Sequence, residues 1–115
     1  MEIKTIFDGS EGEFITASQA AKQQERYLVK ERERGNNDPV RAQFFGKEIL
    51  SKMLETKGAV GIRIYHALGE DGEPNLVLVP TDANGKNLVQ DTSGLKDMAD
   101  GADHGSNGPT CPKHC

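Results

Sequence analysis

The spacing of apolar residues changes character several times along the chain. The opening "EIKTIF" alternates polar and apolar, the mark of a short edge strand, and the glycine-punctuated "DGSEGE" ends it. From Ala17 to Arg34 there is neither proline nor glycine, and most residues favour a helix. Thr16 and Gln19 stand at capping-box spacing, so each side chain can bond the other's backbone amide. Gly35 stands where a left-handed residue closes such a helix. Its apolar stripe, Ala17, Ala20, Ala21, Tyr27 and Leu28, is narrow and built from small residues that permit close approach to a neighbour.

"NNDPV" restarts the chain. Asp38 as N-cap and Pro39 at the first helical position predict a second helix running to about Lys57, closed by Gly58. Phe45, Ile49 and Met53 recur at i+4 and are flanked by Phe44, Leu50 and Leu54, so this is the expected core helix. The period then falls to two. "AVGIRIYHAL" puts Val60, Ile62 and Ile64 on one face and Arg63 and Tyr65 on the other. "GEDGEP" is a loop, and "NLVLVP" is apolar on both faces, with Leu76 and Leu78 opposite Val77 and Val79. Asn84-Gly85 signals a type I′ hairpin, with "KNLVQ" as a third short strand.

These elements predict an α+β domain over residues 1–92, with two N-terminal helices packed on one face of a small antiparallel sheet made of a hairpin and a short strand. Residues 93–115 read as an irregular Gly/Asp-rich tail, too poor in apolar groups to offset its ordering entropy unaided. Helices on one face leave Val77 and Val79 without a roof. Burying such a side chain is worth about 1.5–3 kcal/mol, so a second copy of the chain is the expected cover, through a two-fold contact involving Val77, Val79, Tyr65 and Arg63. The alternative is that the N-terminal strand or the tail folds over that face.

Charge excludes some partners. Fourteen basic residues against eighteen acidic give a net of -4, with no tryptophan and six aromatics, which argues against nucleic acid or an anionic membrane. The polar start lacks the pattern of a secretory signal and no apolar run approaches membrane-spanning length, so the expected location is the cytoplasm, where thiols stay reduced.

Both cysteines lie in the closing "DHGSNGPTCPKHC". Cys111, His114 and Cys115, with His104 upstream, are soft and borderline ligands of the kind zinc selects. Adjacent His114 and Cys115 cannot both point inward from an extended chain, which weakens that signal. Three readings stand: a zinc-like site within or between chains, a Cys111–Cys115 or intermolecular thiol couple, and a terminus whose cysteines do no chemistry. Asp97, Asp100 and Asp103 are spaced by three and lack the later glutamate of a calcium loop. Arg63 and Tyr65 on a sheet suit either an anion or ordinary cross-strand packing. No nucleophile elbow, paired catalytic carboxylates or phosphate-cradling loop is present, so no catalytic residue is nominated and the protein is read as a non-enzyme.

The stretches "FFGKEILSKMLETKG", "GIRIYHAL", "NLVLVPTDANGKNL" and "CPKHC" together resemble a group of small, functionally uncharacterised bacterial proteins that carry a Gly-Ile-Arg-Ile-Tyr strand, a Leu-Val-Leu-Val strand and a C-terminal Cys-Pro-x-x-Cys. The resemblance covers about the last two-thirds of the chain and implies no activity. It implies that Cys111, Pro112 and Cys115 act as a unit. The expected function is self-association or partner binding through the sheet, with a thiol- or metal-bearing tail. The runner-up is a zinc or redox protein centred on that tail.

Overall fold

The structure, a computed structural model, describes residues 6–88 and 104–111. In order the elements are α1 (Ala17–Glu33), β1 (Ala42–Gln43), α2 (Lys47–Leu54), β2 (Ala59–Leu68), β3 (Pro74–Asp82) and β4 (Thr110–Cys111). Expectations for residues 1–5, the end of "KNLVQ", Asp97, Asp100, Asp103, His114 and Cys115 lie outside the described residues.

The chain divides into two compact units. The first, residues 1–11 and 45–108, is built on the β2–β3 hairpin. Ten-residue β2 and nine-residue β3 pair antiparallel, with Arg63 opposite Val79, Ile64 opposite Leu78 and Tyr65 opposite Val77, after an irregularity between Ala59 and Gly61. The connecting loop closes with Gly69 N–H on Glu73 C=O, and Gly72 supplies a φ of +81°. α2 packs on both strands. Its buried Met53 and the side chain of Ile49 approach Gly105, whose N–H and C=O both bond Leu78, at 2.7 and 2.8 Å. Leu88 N–H donates to Pro80 C=O and Asn87 bridges Thr81, so β3's far edge is covered by its own chain. Leu78, Val79, Pro80 and Thr81 are the buried run at the centre.

The second unit, residues 12–44 and 109–115, holds α1 and the β1–β4 pair. The capping box is present in full, with Gln19 N–H on Thr16 Oγ1 at 3.1 Å and Thr16 N–H on Gln19 Oε1 at 3.0 Å. Gly35 follows at φ +89°. Ala42 pairs Cys111 and Gln43 pairs Thr110, extended by Arg41 N–H to Cys111 C=O and Phe44 N–H to Pro109 C=O. The Tyr27 hydroxyl donates to Val40 C=O at 3.1 Å, joining α1 to the segment before β1.

This corrects the expected fold class. The chain is α+β overall, but two N-terminal helices do not share one sheet: the order is helix, short strand, helix, hairpin, strand, and there are two small antiparallel sheets. Among the described residues α2 is the helix that packs on the hairpin, while α1 buries none of its residues. The helix expected to start at Asp38 begins instead at Lys47, with Gly46 as N-cap. A glycine inside a helix costs about 1 kcal/mol relative to alanine, and residues 41–44 gain ladder bonds with 109–111 that a helix would forgo. The irregular tail is corrected with it, because Gly105, Thr110 and Cys111 are tied into ladders. The turn at Asn84-Gly85 is not type I′: Asn84 keeps a negative φ, and Gly85 alone is left-handed at +80°. Asp82 makes the difference. Its carboxylate accepts from Asn84 and Lys86 N–H, both at 2.9 Å, while its C=O accepts from Gly85 N–H. A type I turn followed by a left-handed glycine is the next commonest hairpin solution.

Candidate functional site

The site grows out of β2. Alternation along the strand places Arg63 and Tyr65 on the face of Val77 and Val79, as the register shows. The Arg63 guanidinium is half-buried and its Nη1 donates twice, to Gly85 C=O at 3.0 Å and to Asn87 Oδ1 at 2.8 Å. Asn87 Nδ2 in turn donates to the Tyr65 hydroxyl at 2.9 Å. The Phe7 ring lies beside the guanidinium, 5.7 Å from its centroid, a cation–π distance. Phe7 is placed there because Ile6 and Phe7 N–H both bond Ala83 C=O. Tyr65 consequently ionises below its ordinary value of 10.0, chiefly because Asn87 donates to the phenolic oxygen and secondarily because Arg63 is near.

Val79, expected to face a partner, has zero exposure within the single chain, and Val77 is half-buried. The chain supplies its own elements on that face: Arg63 opposite Val79, Phe7 against Arg63, and the Asn84–Gly85 turn with Asn87. Tyr65 keeps 42% of its surface. The apolar exposure sits elsewhere on β2, at Ile64 (57%) and Leu68 (72%). These two belong to the other side of the strand from Arg63 and Tyr65.

A second feature is the outer edge of β2. Its sheet has two strands, and among the described residues no backbone hydrogen bond reaches residues 60–68 from any segment but β3. An edge strand is usually blunted by charge, proline or a bulge. Between Ile62 and Leu68 the single charged residue is Arg63, and its guanidinium is turned into the Gly85–Asn87 turn.

His104 is exposed and belongs to the hairpin unit, Cys111 belongs to the other, and His114 and Cys115 are outside the described residues. Cys111 is disulfide-bonded, and the chain's other cysteine is Cys115. In that state its sulfur is not a thiolate and offers no zinc ligand. Among the described residues no group of three or more His, Cys, Asp or Glu is arranged to hold a metal ion, and no helix is long and apolar enough to cross a membrane.

Sequence reasoning missed Phe7, Asn87, Ile64 and Leu68. Asn87 had a usable signal, since it lies two residues beyond a turn glycine and so returns to the hairpin. Phe7 had none, because its place depends on a backbone bond to residue 83. No family model matches the chain, and neither a curated protein nor a solved structure matches it.

Proposed function

We propose that this protein acts by association rather than catalysis, its β2 edge pairing with the same edge of a second copy. The observation that supports this is the edge of a ten-residue strand that is open among the described residues and flanked by exposed Ile64 and Leu68. A strand rises about 3.3 Å per residue, so this edge is roughly 30 Å long, and among the described residues no other segment bonds to it. Two-fold pairing of antiparallel copies is self-complementary and closes after two chains. It would place Ile64 and Leu68 of each copy beside the other's strand and continue the hairpin into a four-stranded sheet. The setting in this reading is the cytoplasm.

Sedimentation equilibrium across a wide concentration range tests it, with Ile64→Lys as the variant, since an exposed site tolerates the change. The expected result is a wild-type dimer that the lysine converts to monomer with an unchanged circular dichroism spectrum. A wild type that stays monomeric at millimolar concentration overturns the proposal.

A second reading is favoured by the bonded state of Cys111. Here the cysteines form a thiol couple, oxidised to the disulfide and opened by a dithiol through thiolate exchange. Zinc binding, with Cys111, His114, Cys115 and His104 as ligands, then belongs to the reduced form alone. Thiol counting against graded dithiol buffers, with metal analysis of the reduced protein, tests both. A disulfide that resists reduction in the folded chain removes this reading.

A further inference from the structure

We infer that a cavity at the start of β2 binds a small α-amino acid with an aliphatic side chain. The cavity holds about 340 Å³ and lies wholly within the hairpin unit, between the segment carrying Phe7 and Glu11 and the consecutive residues 60–63. That is at the small end of the roughly 300–1,000 Å³ range of ligand sites. Phe7 and Val60 are its apolar lining, and two opposite charges line it, Arg63 and Glu11.

Among the described residues neither charge is neutralised by the other or by a third group. Among the described residues the ion pairs are Lys30–Glu33 and Arg34–Glu31, both on α1 or at its end. Arg63 spends Nη1 on two neutral acceptors. A guanidinium has five N–H donors in a planar fork that matches a carboxylate, and a half-buried cation without an anion is an unfavourable arrangement that a bound carboxylate relieves. Glu11 is held in place by its own loop, its Oε2 accepting from Asp8 N–H and its Oε1 from Gly9 N–H, each at 2.9 Å. Each oxygen keeps a second lone pair for an ammonium.

A cavity with one fixed cation, one fixed anion and greasy walls selects a zwitterion with an apolar body. A simple anion meets Glu11 and an amine meets Arg63, so each is disfavoured by the charge that the zwitterion satisfies. The ligand's carboxylate goes to Arg63, its ammonium to Glu11, and its side chain to Phe7 and Val60.

Calorimetry on the full chain tests this with L-leucine, leucinamide (no carboxylate) and 4-methylpentanoate (no ammonium), with amide chemical shifts to locate binding. Leucine is expected to bind with shifts centred on Gly9, Gly61 and Arg63. Each analogue should bind about tenfold or more weakly, the effect of one lost charge-assisted contact. Glu11→Gln, which keeps an acceptor for the loop, should weaken leucine by a similar factor and bring 4-methylpentanoate level with it. The inference fails if leucine does not bind at millimolar concentration, if 4-methylpentanoate binds wild type as well as leucine, or if the shifts centre elsewhere.

Discussion

Arg63 and Val79 face each other across the β2–β3 ladder, the valine with no exposed surface and the arginine with its Nη1 bonded to Gly85 C=O and Asn87 Oδ1. One cation therefore joins the middle of the strand to the turn beyond β3, above the driest point of the hairpin. The same arrangement withdraws charge from β2's outer edge and leaves the rest of the fork beside the cavity. An arginine that looks from the strand pattern like an interface residue is the tie between the hairpin and its own cover.

The burial of Val79 predicts a large effect from a small deletion. Val79→Ala should lose about 2 kcal/mol, from two buried methyl groups and the void left behind. Leu68→Ala, at a residue 72% exposed, should change stability by less than about 0.5 kcal/mol. Urea denaturation with an unchanged slope measures both, and equal losses would contradict the assigned burial.

Gly105 predicts the opposite failure, overfilling. A Cβ there would stand 3.0 Å from Ile49 Cδ1, 3.3 Å from Met53 Sδ and 3.5 Å from Leu78 Cβ. The backbone cannot slide away, because both its polar groups bond Leu78. Gly105→Ala should therefore destabilise by about 1–3 kcal/mol, readable as a lowered Tm. A neutral result would mean that this strand-like return is not seated against α2.

Helix α2 begins without a side-chain cap, since Gly46 occupies the N-cap at φ -70° and ψ 159°. That backbone suits serine, and nothing lies within 4 Å of the added Cβ. Gly46→Ser should gain about 0.5–1 kcal/mol, from a new cap and a less mobile unfolded chain. A loss of stability would show that the helix starts elsewhere.

Tyr65 predicts a pH effect. Its lowered pKa means that the folded state favours the phenolate, so the linked stabilisation is present above the unfolded value near 10 and disappears as pH falls through the folded value. It contributes nothing at neutral pH. Ultraviolet titration of wild type minus Tyr65→Phe should show an inflection below 10.0, and Asn87→Ala should move it upward, because Asn87 is the larger cause. An Asn87→Ala inflection unchanged from wild type would remove that attribution.

Locally driven features are legible in the chain. The Thr16–Gln19 box, the left-handed Gly35 and the alternation of 60–68 against 75–80 each rest on interactions within a few residues or on a repeat of two, so their signals survive without tertiary context. The candidate site was legible in part. Arg63 and Tyr65 stand out as polar groups on a half-buried strand, whereas the groups that assign their roles, Phe7, Glu11 and Asn87, arrive from distant loops.

By itself, then, the amino-acid order determined one capped helix, one hairpin and the pairing of strand faces, because helix caps and a two-residue period are properties of adjacent residues. Only the tertiary structure decided that residues 41–44 pair with 109–111 instead of joining α2, that Gly105 returns to Leu78, and that Val79 is covered by its own chain. Those outcomes depend on contacts between residues far apart in sequence, where backbone groups must find partners or lose them to burial. A glycine or a short β pair carries no local mark of which remote segment will meet it.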